Sequence, residues 1–180
     1  ESRDFVHSFI PKNRTPVSGY AAMPRQIVER QPDVLLTGHG GAVDCKAEQI
    51  AKWQQWMDRW AQLFTNIIDR PNSDYGMDPQ WVEFYPYKTR VRPGDELQYE
   101  VRVRNHDNEQ KTGRLDLRAT SGVRLSVVGI DIVVAAGATT AFPITAVFPE
   151  SRECHAWTIV ADVTWDGVAH GEIAEAIAWW

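Results

Sequence analysis

The sequence predicts an α+β chain in two parts: a partial α/β section with one long helix, then an all-β sandwich. Three observations carry this. An apolar stripe of helical period runs through residues 46–68, a polar break rich in turn formers follows at 69–79, and beyond it the apolar period drops to 2 in several separate runs. The expected organisation is therefore a first section over 1–70, a linker over 71–80 and a sandwich over 81–180.

Taken in order, residues 1–20 contain Pro11, Pro16 and Gly19, which argue against a long helix there. Residues 21–31 have weak helical character, with Ile27 and Val28 as the apolar contribution. Pro32 ends it, because the residue before a proline is disfavoured in the α region. The run Val34-Leu35-Leu36-Thr37 predicts a short buried strand, and helix, strand, glycine loop and helix is the order of an α/β layer. The long helix is expected over 44–69, with Asp44 as its cap. Ile50, Trp53, Met57, Trp60, Phe64 and Ile67 recur at gaps of three and four, widened by Trp56, Leu63 and Ile68. A stripe that wide needs cover from the α/β section and the following domain together.

In the second part Leu97, Tyr99, Val101 and Val103 alternate with polar residues. So do Leu115/Leu117/Ala119, Phe142/Ile144/Ala146/Phe148 and Trp157/Ile159/Ala161/Val163/Trp165. Asp166-Gly167 predicts a two-residue hairpin, since a type I′ turn needs positive φ at both positions. Further turns are expected around Gly94 and Gly137. Seven or eight short strands in this pattern predict a β-sandwich, with Pro143 on an edge or at a bulge.

The composition, 43% hydrophobic and 24% charged, is that of a globular chain able to bury a core. The net charge is -5 with Lys and Arg scattered, which argues against nucleic acid or an anionic membrane surface as partner. No apolar stretch reaches the roughly 20 residues of a membrane span. Cys45 and Cys154 fall in different predicted parts; a pair and two free buried thiols both stay open, and the compartment is not decided. The chain starts with Glu1 and no leader precedes it, so a piece of a longer polypeptide is expected.

The tetrapeptide Thr37-Gly38-His39-Gly40 puts a histidine on a glycine-hinged loop at a strand end, where imidazole can reach a metal. A catalytic zinc needs about three protein ligands, so His39 alone holds none. Residues 20–45, with Pro32-Asp33-Val34-Leu35-Leu36 leading into Gly38-His39-Gly40, resemble the closing section of a metallo-β-lactamase-fold hydrolase. The resemblance implies that His39 is the last metal-binding histidine of that fold, holding zinc or a similar divalent ion. The family's main ligand motif, His-x-His-x-Asp-His, occurs nowhere in the chain. The expectation is thus a C-terminal section of a metal-dependent hydrolase, inactive alone, whose partner is the missing N-terminal part. No catalytic residue is assigned and no substrate is selected. Arg92-Pro93-Gly94-Asp95, residues 101–105, Trp165-Asp166-Gly167 and residues 171–176 resemble an immunoglobulin-like accessory domain, a fold that fixes no chemistry. An incomplete α/β layer would also expose an edge and apolar surface, so homo-oligomerisation or disorder near residues 1–20 is expected.

Other candidates have bland readings beside the sharp ones. Cys45 reads as a second metal ligand or thiolate, or else as a structural thiol. Trp53, Trp56 and Trp60 read as a stacking platform or as packing along one stripe. Trp179 and Trp180 read as the end of the last strand or as an exposed patch. His7, His106, His155 and His170 show no ligand spacing, although His155 and His170 flank hairpin strands and are expected near one another. Asp44 and Glu48 read as caps and solvated helix face. Two roles besides the hydrolase section remain: an interaction module built on the sandwich, which predicts an exposed apolar or aromatic patch on one sheet, and a purely structural support.

Overall fold

The computed structural model describes residues 16–38, 40–68, 72–150 and 155–180, and the chain divides into two compact units, Glu1–Pro79 and Gln80–Trp180. It is an α+β chain, mostly β-sheet, containing a β-sandwich.

In the first unit, α1 spans Val17–Arg30 and so begins earlier than the residues 21–31 expected for it. Pro16 immediately precedes the helix, where the missing N–H costs no intrahelical bond. The backbone N–H of Val17, an orphan donor of the first turn, donates to Asp74 Oδ1 at 2.8 Å. Gln31 closes the helix in the left-handed region (φ 46°), its N–H bonding to Val28 O, and Pro32 prevents continuation.

Strand β1 (Val34–Thr37) pairs antiparallel with β2 (Gly41–Asp44) to make a two-stranded sheet. This corrects the expected buried strand of an α/β layer. Leu35 packs on the helical core, but Val34 is 46% and Leu36 85% exposed. Asp44 ends β2 and does not cap the helix behind it.

That helix, α2, spans Ala47–Ile67 rather than 44–69, and Lys46 at its N-cap supplies no side-chain bond. It packs on α1 through a core of Val17, Tyr20, Trp53, Met57 and Met77. Trp60 stacks on Phe64 with ring centroids 5.3 Å apart. The broad stripe is only partly covered, since Trp56, Leu63 and Ile67 stay exposed. A neighbouring helix covers one line of contact, and the stripe is wider than that. The residues expected as a linker over 71–80 include the turn of helix α3, Asp74–Met77, which buries Tyr75 and Met77.

The second unit is a β-sandwich of nine strands among the described residues. They are β3 (Val82–Tyr85), β4 (Lys88–Arg90), β5 (Glu96–Arg104), β6 (Lys111–Ala119), β7 (Arg124–Leu125), β8 (Gly129–Val134), β9 (Thr139–Val147), β10 (Ala156–Trp165) and β11 (Val168–Trp179). One sheet has the order β4-β11-β10-β6-β8 and the other β3-β5-β9-β7. Every pairing is antiparallel except β11 with β4. The alternating residues face inward: Tyr99, Val101 and Val103 from one sheet meet Leu115, Ile159 and Val163 from the other, all at most 1% exposed.

Asp166 (φ 50°) and Gly167 (φ 79°) make the β10–β11 turn with both central residues at positive φ. Pro143 lies on β9 where β7, paired only to Ala146 and Val147, no longer runs beside it. Trp180 ends against Trp157, with centroids 4.9 Å apart, while Phe148 meets Trp157 at 5.7 Å. The C-terminal tryptophan thus closes the core.

Asn105, 1% exposed, pins the loops after β5 and β8. Its Nδ2 donates to Glu109 O (2.8 Å), Val134 O and Ala135 O (both 3.1 Å), and its Oδ1 accepts from Asp107 N–H at 2.9 Å. Asn105→Ala should lower unfolding stability by about 2–4 kcal/mol, since it strands several part-buried carbonyls at once. Urea unfolding of the full chain checks this; a loss under about 0.5 kcal/mol would show that water replaces the amide.

Candidate functional site

Residue 39 lies outside the described residues, so nothing in the geometry places the His39 imidazole. Only its neighbours on either side are placed. Gly40 N–H donates to Thr37 Oγ1 at 2.8 Å, and that hydroxyl donates on to Gly41 O at 3.1 Å. Gly41 has φ 80°, a backbone conformation that a side chain would strain. Thr37, which ends β1, thus ties Gly40 and Gly41 to the strand end. Among the described residues no three of His, Cys, Asp or Glu converge as a metal site, so the side chains present do not by themselves fit an ion.

Cys45 is a free, half-buried thiol whose Sγ lies 4.0 Å from Val43 O, and its N–H donates to Asp33 O at 2.9 Å. It precedes α2 and lines a cleft of about 720 Å³ with Val28, Pro32, Ala47, Ile50 and Gln54. That volume is in the range of small-molecule sites. The Oε1 of Gln54, another lining residue, is buried with no hydrogen-bond donor among the described residues. The companion cysteine, Cys154, lies outside the described residues, as does His7.

The other histidines separate. His155 precedes Ala156, which pairs with Trp179, whereas His170 sits beside Gly171, opposite Val163. The two therefore stand at opposite ends of the β10–β11 ladder, about 25 Å apart at strand rise, which corrects the expected proximity. His170 is the extra residue of a bulge between Ala169 and Gly171. The bulge aims its ring at Trp81, edge to face with centroids 5.5 Å apart, and Trp81 in turn meets Trp165 at 5.6 Å. The three tryptophans of α2 do not form a platform either: Trp53 is core, Trp60 packs beside Tyr20 and Phe64, and Trp56 alone is exposed.

On the sandwich, the outer face of the five-stranded sheet is a ladder of opposite charges. Arg114 binds Asp116 and Asp131, both at 2.9 Å; Arg118 binds Asp162 (3.1 Å) and Glu172 (3.2 Å); Lys111 binds Asp166 (2.8 Å). Such exposed pairs each contribute about 0–1 kcal/mol. They leave a solvated face with its charges already matched.

The edge where β3 passes to β4 is different. Tyr85 is 55% and Tyr87 47% exposed, on either side of Pro86. The Arg102 guanidinium lies 3.8 Å from the Tyr85 ring centroid and is held there by Glu100 Oε2 at 2.8 and 2.9 Å. Tyr87 Oη donates to Glu175 Oε1 at 3.1 Å, and Lys88 Nζ approaches the same ring at 5.8 Å. The sequence reading missed this pair. Its signal was the exposed Tyr-Pro-Tyr step in the interval before the first long alternating run.

No family model matches the chain and no curated protein matches it. Among solved structures it is similar to WR4, an MSP-family member of C. elegans, at 13% identity over 54% of this chain and 97% of that one, with a TM-score of 0.38. The native alpha-2-macroglobulin of E. coli aligns at 16% identity over 55% of this chain and 6% of that one, with a TM-score of 0.42. SSP-19, an MSP-domain protein like family member of Caenorhabditis elegans, aligns at 10% identity over 54% and 96%, with a TM-score of 0.37. At these values the likenesses carry no function, and the sandwich assignment stands on the strand order and inward alternation described above.

The hydrogen bond to the Glu175 carboxylate, followed by partial burial and the carboxylate's charge, raises the Tyr87 phenol above its ordinary value. A phenol raised in the folded chain is favoured below the unfolded pKa, and that contribution is lost as pH rises through the folded value. Glu175→Ala should therefore move the Tyr87 titration back down toward 10.0. The ultraviolet phenolate signal, taken as a difference against Tyr87→Phe, reads this; an unmoved titration would remove Glu175 as the cause.

Proposed function

We propose that this chain is a non-catalytic interaction module whose immunoglobulin-like sandwich recognises a partner protein through the Tyr85–Tyr87 edge. The observation that carries the reading is the contrast between two parts of the sandwich surface. The broad face of the five-stranded sheet spends its charges internally, whereas the β3–β4 edge presents two large amphipathic rings already held in place by Arg102 and Glu175. Tyrosine and arginine are the residue types that dominate binding hot spots. Side chains ordered before contact lose less entropy on binding.

The test is quantitative affinity purification with the tagged full chain from cells that make it. Tyr85→Ala combined with Tyr87→Ala should reduce the specific partner at least about tenfold, roughly 1.4 kcal/mol, while the chain stays folded with a melting temperature lowered only by the loss of the Arg102 and Glu175 contacts. Equal recovery by wild type and variant would defeat the reading.

A second reading is favoured by the local order α1, β1, glycine-rich link, β2, α2 in the first unit. In it the unit belongs to a metal-dependent hydrolase of the metallo-β-lactamase type, and His39 offers one imidazole to zinc or a similar ion whose other ligands lie outside this chain. The full chain alone should then take up only substoichiometric zinc by metal analysis, and His39→Ala should leave its melting temperature unchanged. Stoichiometric, His39-dependent zinc in the purified 180-residue chain would contradict that reading.

A further inference from the structure

We infer that the open edge of β4 takes an extended acidic segment of a partner protein, added as a further strand whose alternate carboxylates meet Lys88 and Arg90. This names the chemistry of the partner proposed above and rests on that reading.

The edge follows from the register. Strand β4 ends the five-stranded sheet and pairs, in parallel, with β11 alone. Tyr87 O accepts from Ile177 N–H and Val91 N–H donates to Trp179 O, both at 2.8 Å. Main-chain groups alternate in direction along a strand, so residues 87, 89 and 91 turn toward β11 while Lys88 and Arg90 turn away. The N–H and C=O of those two residues make no hydrogen bond among the described residues. They are the groups that an added strand uses.

The side chains decide the charge of that strand. Lys88 and Arg90 are exposed and stand on one face of β4, with Thr89 on the other. The cations of the charged ladder, Lys111, Arg114 and Arg118, each hold a carboxylate. Lys88 and Arg90 hold none among the described residues, and Lys88 Nζ approaches only the Tyr87 ring, at 5.8 Å. Cations on an edge ordinarily guard it by repelling another strand. That repulsion depends on sign. It rejects a basic edge, including a second β4, and attracts a strand with carboxylates two residues apart, the spacing of Lys88 and Arg90. Tyr87 immediately precedes Lys88, so the aromatic contact and the strand contact are continuous.

This chain does not itself carry such a strand on a free edge. The other sheet edges are β1, β2, β3, β7 and β8. Their acids are Asp44, Glu83 and Asp131, and none has a second acid two positions away. Outside the described residues, Glu1, Asp4, Asp69 and Glu153 likewise stand without an acid at that spacing. Neither a second copy's free edge nor those segments of the chain match the two cations. The occupant that matches is a separate acidic protein.

The experiment titrates the full chain with a synthetic peptide of five Val-Glu repeats, reading the amide signals of residues 88 and 90 by nuclear magnetic resonance. The controls are a Val-Lys peptide of the same length and the Val-Glu peptide methylated on its main-chain nitrogens. The expected result is saturable shifts at both amides below about 1 mM, at least about tenfold weaker for either control. Lys88→Gln with Arg90→Gln should remove the preference, and Lys88→Glu with Arg90→Glu should reverse it toward the Val-Lys peptide. Both side chains are exposed, so the variants stay folded and give two independent readings. No binding in that range, no preference between acidic and basic peptides, or equal binding of the methylated peptide would each overturn the inference. So would a preference that both variants keep. A partner lost with Tyr85→Ala and Tyr87→Ala, alongside any of those results, would leave the proposed function standing without this inference. Acid-selective, main-chain-dependent binding at β4 with no tyrosine-dependent partner would uphold the edge and defeat the tyrosine reading.

Discussion

Every apolar face in this chain needs a layer laid against it, and the two units meet that constraint unequally. A strand of period 2 offers one apolar face, and two sheets of such strands close on one another with nothing left over. The sandwich does this. Its inner face is sealed at one end by Trp157 between Phe148 and Trp180, and at the other by Trp81 against Trp165 and His170. The first unit cannot do it, because a helix pair covers one stripe and one side of a hairpin, and its sequence carries more apolar surface than that.

This difference explains which parts of the fold were readable in advance. Alternation is a local signal that states both the element and its buried side, so the runs at Tyr99, Leu115, Ile144 and Ile159 pointed to strands and to their inner faces. Asp166-Gly167 was equally direct, since few residue pairs tolerate two positive φ values. Among the strands left unread, β4 and β7 have three and two residues, too short to show a period. Helix α1 began earlier than expected because a proline just outside the first turn is a starter, and the helix also runs through Pro24 in its interior, which the prolines of the sequence did not suggest. The segment before Trp81 read as a linker from its turn formers, yet Met77 belongs to the core; a single helical turn leaves no periodicity to find.

The candidate sites were harder to read for a different reason. A continuous run such as Val34-Leu35-Leu36 reports how much burial a strand wants, without reporting which chain provides it, so the expected buried strand emerged with one bare face. His155 and His170 looked close because both flank the same hairpin, but the length of an antiparallel ladder separates residues near opposite ends of it. Tyr85 and Tyr87 carried no motif. Their meaning comes from partners remote in sequence, Arg102 and Glu175, that only the sheet pairing brings beside them.

The placement of charge and aromatic surface follows from the same geometry. Interior strands of a sheet have neighbours on both sides, so their outward residues form cross-strand rows, and rows of opposite charge neutralise themselves, as Arg118 does between Asp162 and Glu172. At the edge where the chain leaves β3 for β4, a residue has a strand on one side only. An aromatic ring there can be braced from that side and remain open on the other. Arg102 and Glu175 act as such braces, which leaves Tyr85 and Tyr87 about half exposed and held in a fixed position. Rigidity from one side with access from the other is the condition for binding a partner at low entropic cost, and in this sandwich the β3–β4 edge meets that condition while the charged ladder does not.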